Sequence, residues 1–244
     1  MDVTLDSIRD KTLYQPKKGY RFSVDALLLY DFVNLKYVRS IADLGTGSGI
    51  IGILLAKRYP NAHITLFEIQ DGLATLAEKN IALNSLQNRV RAVKCDIREI
   101  KACLCSLGDN YFDLVVSNPP FRRLKSGRMS EGEEKAIARH ELKLRLPELI
   151  KTSAYLLRAK GRVCMVYHPQ RLLELIETLK KRGLEPKRLR FVYSNISSEA
   201  KIILLEAVKG GKGGIKVEKP LYIYKEDGSY TDEVRKIYSP EYKI

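Results

Sequence analysis

With 244 residues, the chain is long enough for one domain that buries about 70–75% of its unfolded surface. It carries 43 Lys and Arg against 29 Asp and Glu, a formal net charge of +14. Because this charge is not gathered on one amphipathic helix, it favours nucleic acid over a membrane as the polyanionic partner. The sequence shows no apolar run of transmembrane length and no signal-type N-terminus, so we expect a cytoplasmic protein.

The four cysteines, Cys95, Cys103, Cys105 and Cys164, lack the paired spacing of a zinc site. Three of them lie in or beside apolar runs, as structural cysteines do. We therefore predict reduced, mostly structural cysteines and no metal site.

The first 22 residues show weak periodicity, and the segment from Gln15 to Phe22 indicates a turn or a hairpin. Ser23 is typical of a helix N-cap, and the predicted helix after it runs through Leu29 and Phe32. Asp25 falls in the first turn of this helix, where a carboxylate complements the helix dipole.

A glycine-rich turn follows the next predicted strand, which runs from Val38 to Leu44. Its sequence is Asp43-Leu44-Gly45-Thr46-Gly47-Ser48-Gly49, and a helix then extends to about Tyr59. Glycines allow close approach of the backbone to a ligand, and the helix N-terminus offers free N–H groups. A dinucleotide loop would have glycine at position 50, where this chain has Ile50, which argues against a NAD-dependent reductase. The spacing is typical of the loop that binds S-adenosylmethionine.

Two further acids end predicted strands. Glu68 follows the strand Ile64–Phe67, about twenty residues after the glycine loop, where a ribose-binding acid is expected. The alternative is a solvent-facing acid, but its register with the loop favours the ligand. Asp96 follows the strand Val90–Val93, at the edge where open α/β sheets bind ligands. It is a candidate to accept an adenine amino group or to cap a helix, and the two roles are compatible.

The predicted strand Tyr111–Val116 leads into Ser117-Asn118-Pro119-Pro120-Phe121. The prolines end the strand, and a residue before proline is extended, so the Asn118 amide should project past the sheet edge. The Asn118 amide oxygen, the Pro119 carbonyl and the Phe121 ring then suit a planar group that carries an NH2. The alternative is an ordinary strand-terminating turn.

Downstream of this tetrad the chain is strongly basic. The loop residues proposed to contact RNA are Arg122, Arg123, Lys125 and Arg128. His140, the histidine nearest this chemistry, is more often a structural residue when it stands alone. Further predicted elements are a helix to about 157, a strand 161–167, a helix 169–181 and strands near 189–193 and 201–208. A second basic cluster at Lys187 and Arg188 is either an RNA contact or a solvated face.

Taken together, these motifs resemble the bacterial tRNA adenine-N6 methyltransferase family that modifies the adenosine 3′ of the anticodon of a valine tRNA. The resemblance spans nearly the whole chain, and its most family-specific parts are Ala138-Arg139-His140-Glu141 and Tyr230-Thr231…Glu233…Ile237-Tyr238. It implies S-adenosyl-L-methionine as cofactor and tRNA as partner. The implied cofactor-binding residues are Arg21, Asp25, Asp43, Gly45, Thr46, Gly47, Glu68, Asp96, Ile97 and Asn118. The implied catalytic residues are Asn118, Pro119 and Phe121.

The resemblance leaves two other methyltransferases as alternatives, because guanine-N2 and glutamine-N5 methyltransferases share the Asn-Pro-Pro-Phe/Tyr tetrad. A glutamine-N5 enzyme would be expected to have a separate helical domain before the core, and about 37 residues precede the first core strand here. This sequence also has Arg122 where the family more usually has a further aromatic residue, which leaves the contact with the base open.

The expected fold is one Rossmann-like α/β domain over residues 1–244, with helices on both faces of a mostly parallel sheet of about seven strands and an antiparallel edge. Residues 1–22 would form an extension that covers the cofactor, and residues 209–244 a C-terminal extension. The expected chemistry is direct methyl transfer, driven by positioning and electrostatics without a metal or a strong base. The sequence leaves the oligomeric state open.

Overall fold

The computed structural model describes residues 2–17, 23–105, 112–119 and 145–239. The helices in these ranges are α1 (Val24–Phe32), α2 (Ile50–Arg58), α3 (Asp71–Leu83), α4 (Ile100–Cys105), α5 (Leu146–Leu156), α6 (Leu172–Lys181) and α7 (Asp232–Tyr238). Short 3-10 turns precede α4 and α6, at Ile97–Glu99 and Pro169–Arg171.

The strands in the same ranges are β1 (Val3–Ile8), β2 (Lys11–Pro16), β3 (Ser40–Leu44), β4 (His63–Glu68), β5 (Val90–Lys94), β6 (Phe112–Ser117), β7 (Leu157–Tyr167), β8 (Leu184–Tyr193), β9 (Ala200–Lys209), β10 (Lys216–Val217) and β11 (Leu221–Tyr222).

Nine of these strands form the main sheet, in the order β10-β8-β9-β7-β6-β3-β4-β5, with β11 also pairing with β8. The pairs from β5 to β7 are parallel, whereas β9 is antiparallel to both β7 and β8. The expected mostly parallel sheet with an antiparallel part is therefore confirmed, but the count of about seven strands was too low. The additional strands β10 and β11 are two-residue segments alongside β8, too short to produce an alternating sequence pattern.

The sheet has a hydrophobic layer on each face, as the period of two along a strand requires. In β6, Leu114 and Val116 pack into one layer and Val115 into the other. The first layer receives α1, α2, α3 and α7, and the second receives α4, α5 and α6. With both faces covered, the ligand-accessible region of such a sheet is the edge where its parallel strands end.

The N-terminal strands β1 and β2 form their own antiparallel hairpin, which packs on α3. The hairpin turns at Arg9 and Asp10. The sequence also indicated a turn or a hairpin in the segment 15–22, of which residues 18–22 lie outside the described ranges. Asn80 of α3 is fully buried and holds this hairpin, because it accepts from the Tyr14 N–H at 2.7 Å and donates to the Tyr14 carbonyl at 3.0 Å. Its amide also donates to the Ser48 carbonyl at 2.9 Å, which joins the hairpin to the glycine loop.

Among the described residues, the helices are all too short or too polar to cross a membrane.

Candidate active site

The glycine loop between β3 and α2 has the backbone that its sequence requires. Gly45, Gly47 and Gly49 have φ values of 71°, 62° and 91°, in the left-handed region that L side chains rarely adopt. Beneath the loop, the Asp43 carboxylate accepts from the Thr46 hydroxyl at 2.6 Å and from the Gly52 N–H at 3.2 Å. Asp43 therefore holds the loop against the first turn of α2.

Asp43 is fully buried, and this burial, opposed by its two hydrogen bonds, raises its pKa to about 7. Its Oδ1 atom has no hydrogen-bond partner among the described residues, and neither has the buried Ser48 hydroxyl in the same loop. Unpaired buried polar atoms are rare in folded proteins. The loop consequently offers both a carboxylate oxygen and a hydroxyl to a polar ligand.

The Glu68 side chain at the end of β4 is only 5% exposed. One carboxylate oxygen accepts from the Gly47 N–H and the other from the Gln70 N–H, both at 2.9 Å. Each carboxylate oxygen can accept more than one hydrogen bond, so both could still take a ribose hydroxyl. Glu68 is thus part of the loop scaffold in addition to its predicted ligand role.

The pairing of the strands places Asn118 at the same edge of the sheet as the glycine loop and Glu68. Asp43 in β3 is aligned with Val116 of β6 on one side and with Leu66 of β4 on the other. Strands β3, β4 and β6 are parallel, so Gly45 after β3, Glu68 at the end of β4 and Asn118 after β6 lie at the same edge of the sheet.

The acceptor segment is fixed to the glycine loop by Ser117. This buried side chain donates from its hydroxyl to the Leu44 carbonyl at 2.8 Å. Asn118 is partly exposed, whereas Pro119 is buried. Asn118 is therefore partly open to solvent at the end of β6, between the buried residues Ser117 and Pro119.

Asp96 follows β5 and caps the 3-10 turn at Ile97–Glu99, accepting from the Arg98 N–H at 3.0 Å. The Arg98 guanidinium also donates to both carboxylate oxygens, and this contact lowers the pKa of Asp96. The capping role is confirmed, and the contact with adenine stays a prediction. Ile97 is buried beside it.

The prediction that the cysteines are reduced was wrong for one pair, since Cys95 and Cys103 form a disulfide. The turn at Ile97–Glu99 reverses the chain and brings α4 back over the end of β5, so that residues eight positions apart meet. Cys164 is a free, buried cysteine. Among the described residues, no cluster of three potential metal ligands is present.

Of the other predicted site residues, Asp25 lies in the first turn of α1 and is partly buried. Some predicted residues lie outside the described ranges, namely Arg21, Phe121, Arg122, Arg123, Lys125, Arg128 and His140.

Arg188 of the second basic cluster is engaged inside the protein, and contact of this cluster with RNA stays a prediction. The Arg188 guanidinium donates to Glu218 at 2.8 Å, to buried Glu206 at 3.1 Å and to the Phe32 carbonyl, and it stacks on the Phe32 ring. Both Nε and Nη1 of this guanidinium thus have hydrogen-bond acceptors inside the protein. Lys187 is partly exposed and donates to carbonyl groups of the glycine-rich segment at 212–213.

Two residues that position the site did not stand out in the sequence, Asn80 and Ser117. Asn80 lies on an otherwise amphipathic helix, and its position on the buried face was the available signal. Ser117 lies between a strand and the tetrad, and nothing in its sequence context reveals its partner on β3.

Comparisons with known proteins address the family directly. The model of the methyltransferase small domain matches residues 23–182. A Porphyromonas gingivalis protein (strain ATCC BAA-308 / W83) named tRNA1(Val) (adenine(37)-N6)-methyltransferase is 32% identical over 211 residues, which cover 84% of this chain and 81% of that protein. The chain belongs to this methyltransferase family.

Other comparisons agree with this assignment. A protein of the same name from a Flavobacteriaceae bacterium (strain 3519-10) is 27% identical over 95% of this chain and 91% of its own length. The crystal structure of a predicted O-methyltransferase from Agrobacterium tumefaciens has a TM-score of 0.70 at 20% identity, covering 90% of this chain and 98% of that one. This likeness confirms the fold.

The family's cofactor is S-adenosylmethionine, and the described residues fit it. Its sulfonium and ammonium groups are cationic, and the loop presents the unpaired oxygen of buried Asp43. Its ribose hydroxyls suit the carboxylate of Glu68, and its adenine suits the edge beside Asp96 and Ile97. The glycine loop allows close approach of a ligand to its backbone at Gly45 and Gly47, whereas Gly49 packs against Leu66 and Ala77.

Proposed function

We propose that this methyltransferase transfers a methyl group to the N6 amino group of an adenine in tRNA, the adenosine 3′ of the anticodon in a valine tRNA. The observation that carries the proposal is the alignment of Asn118 with the glycine loop and Glu68 at one edge of the sheet. This arrangement would place an exocyclic amine next to the cofactor. The names of the relatives, which span nearly the whole chain, support the choice of adenine and of tRNA.

The chemical task of the protein is to make a poor nucleophile reactive, because the lone pair of an adenine amine is delocalised into the ring. When bound, S-adenosylmethionine would supply an electrophilic methyl group; its transfer to the amine nitrogen would break the S–CH3 bond, leave S-adenosylhomocysteine and release one amine proton to water. The Asn118 side-chain oxygen and the Pro119 carbonyl accept hydrogen bonds from the two amine hydrogens. These bonds favour a pyramidal nitrogen and direct its lone pair toward the cofactor side of the edge.

Ser117 supports this role by fixing the start of the acceptor segment. Its hydrogen bond to the Leu44 carbonyl joins the strand that carries the acceptors to the strand that carries the glycine loop. The hydrogen-bond acceptors for the amine and the glycine loop therefore belong to the same packed sheet. The distance between them does not depend on an exposed loop. We propose that Phe121, which follows the acceptors in the sequence, stacks on the base after it leaves the RNA stack.

The partner is proposed to be bound through phosphates as well as through the target base. The net charge of +14 supports an electrostatic contribution. Because Arg188 is engaged inside the protein, the loop at 122–128 is the better candidate for this contact. Cytoplasmic location follows from a tRNA substrate and is part of the same proposal.

The direct test is nucleoside analysis of tRNA treated with the enzyme and labelled S-adenosylmethionine. We expect N6-methyladenosine in a valine tRNA transcript and none in the matched transcript in which the target adenosine is replaced by guanosine. Label on guanosine N2, or on a glutamine of a release-factor peptide, would refute the substrate while leaving the fold intact.

A further inference from the structure

Three tyrosine rings near the C-terminus form a continuous stack. The ring centroids of Tyr224 and Tyr230 are 5.3 Å apart with an interplanar angle of 14°, and those of Tyr230 and Tyr238 are 5.2 Å apart with an angle of 22°. Tyr230 and Tyr238 belong to a segment that we identified as family-specific in the sequence. The proposed role of Asn118 does not explain why this segment carries tyrosines.

The stack is built on a braced turn. Tyr224 and Tyr230 face each other across an isolated antiparallel bridge, closed by a hydrogen bond from the Lys225 N–H to the Ser229 carbonyl at 2.8 Å. Thr231 donates from its hydroxyl to the Tyr222 carbonyl at 2.8 Å and caps α7, whose last residue is Tyr238. A platform braced in this way loses little conformational freedom when a ligand stacks on it.

The stack lies at the same edge of the sheet as the acceptor segment. Since β8 and β7 are both antiparallel to β9, β8 ends at the edge where β7 and β6 end. Strand β11 pairs in parallel with the end of β8, so Tyr224 follows at this edge. At the inner end of the stack, Tyr238 is near the Asp25 carboxylate, one of the charges that add to burial in raising the pKa of Tyr238.

The outer end of the stack is open to solvent. Tyr224 is 40% exposed, whereas Tyr230 and Tyr238 are partly buried. A second tyrosine pair, Tyr193 and Tyr222, lies next to it with ring centroids 5.4 Å apart. The open face of Tyr224 is therefore available to a flat ligand at the edge where Asn118 lies.

The charges around the stack indicate which part of an RNA it contacts. Lys225 is paired with Asp232 at 2.9 Å. The segment 225–236 carries three basic residues and four acids, so it has no excess positive charge for phosphates. The acids are Glu226, Asp227, Asp232 and Glu233, and the bases are Lys225, Arg235 and Lys236. The tyrosine faces therefore suit a nucleobase and not the sugar–phosphate backbone.

We propose that Tyr224 is the stacking site for an unpaired RNA base next to the target adenine. This inference rests on the proposed function and extends it from the reacting base to its neighbour. When an adenine leaves the stack to reach an active site, its neighbour loses a stacking partner. The open face of Tyr224 replaces that partner, and it does so for any base, because every base has a π face.

The experiment uses the full chain and a synthetic anticodon stem–loop that carries 2-aminopurine beside the target adenine. The protein contains no Trp, so the probe can be excited without interference from tryptophan. We expect binding of the wild-type protein to quench the probe. Tyr224→Leu should abolish this quenching and weaken RNA binding about tenfold, whereas Tyr224→Phe should stay within about twofold of the wild type. The control is Tyr37→Leu, since Tyr37 is 89% exposed and precedes β3 at the opposite edge.

Affinity for S-adenosylmethionine is measured for each variant to confirm that the fold and the cofactor site are intact. If the wild-type protein methylates tRNA but Tyr224→Leu keeps full quenching and RNA affinity, the stacking proposal is wrong and the proposed function stands. If the wild-type protein forms no methylated nucleoside in tRNA, the proposed function itself fails.

Discussion

Replacing Glu68 with alanine should lower both the stability of the protein and its affinity for S-adenosylmethionine. The carboxylate accepts from the N–H groups of Gly47 and Gln70, each at 2.9 Å, in a position that is 5% exposed. Loss of the acceptor costs about 1–3 kcal/mol at the buried Gly47 N–H and about 1 kcal/mol at the partly buried Gln70 N–H, so the variant should lose about 2–4 kcal/mol of unfolding free energy. For a chain of this size, that corresponds to a fall in Tm on the order of 10 °C.

The same change should reduce affinity for S-adenosylmethionine separately. Removal of charge-assisted hydrogen bonds to the ribose costs about 1.5–3 kcal/mol, or one to two orders of magnitude in Kd. Because Glu68 is buried beneath the loop, its removal should lower stability without ligand as well as cofactor affinity.

Thermal unfolding without ligand and titration calorimetry well below Tm measure the two effects independently. The control is Glu99→Ala, which removes the same charge from an exposed position in the turn after β5. Glu68→Gln keeps one acceptor for two N–H groups and should lie between alanine and the wild type in Tm. A Glu68→Ala variant with unchanged cofactor affinity would refute the ribose assignment.

Three further predictions follow from the described side chains. The pKa of Asp43 is about 7 in the folded protein against an ordinary value of 3.8, so between these pH values the folded protein holds a proton that the unfolded chain has lost. The free energy of unfolding without ligand should therefore fall as pH rises from about 4 to about 7. Asp43→Asn should flatten the curve of Tm against pH. Cys95→Ser should lower Tm under oxidising conditions and remove the difference between oxidised and reduced samples. Arg188→Met should lower Tm without changing the salt dependence of tRNA binding. Neutralising each phosphate-binding cation of the basic loop should instead reduce the slope of log binding constant against log salt concentration by roughly 0.7–0.9. The loop variants are neutral substitutions at Arg122, Arg123, Lys125 and Arg128.

The central part of the fold could be predicted because local patterns agree with tertiary packing there. The helix after the glycine loop was predicted to run from Ile50 to about Tyr59 and ends at Arg58, and the strand before Glu68 differs by one residue at each end. Buried parallel strands give continuous apolar runs, and glycines and prolines mark where they end. The positions of Glu68, Asp96 and Asn118 at strand ends followed from these boundaries.

The hairpin turn could not be predicted because its first residue, Arg9, is not one that usually adopts a positive φ. Arg9 has a φ of 56°, a conformation that favours glycine or asparagine. Its guanidinium donates to the Ile237 carbonyl and lies over the Tyr30 ring at 5.3 Å, so distant residues hold the turn. Interactions between residues this far apart in sequence leave no local pattern.

The same reason explains which contacts the sequence did not reveal. Arg188 resembles a surface cation in sequence, but its partners Glu206 and Glu218 lie on β9 and just after β10. The Cys95–Cys103 pair depends on how α4 folds back, which the spacing of the cysteines does not reveal. The tyrosine stack joins a turn to the end of a helix eight residues later.

The central claim is that the Asn118 amide oxygen activates the adenine amine, and Asn118→Ala tests it most directly. The prolines that shape the turn and the Ser117 hydrogen bond remain, so Tm and cofactor affinity should be unchanged. Because the hydrogen bond to the amide oxygen strengthens as the amine becomes nucleophilic, we expect kcat for tRNA methylation by the variant to fall at least ~10²-fold with little change in KM. Asn118→Asp keeps an acceptor of the same size and should retain more activity than alanine. Full turnover by Asn118→Ala, with N6-methyladenosine as the product, would contradict the mechanism.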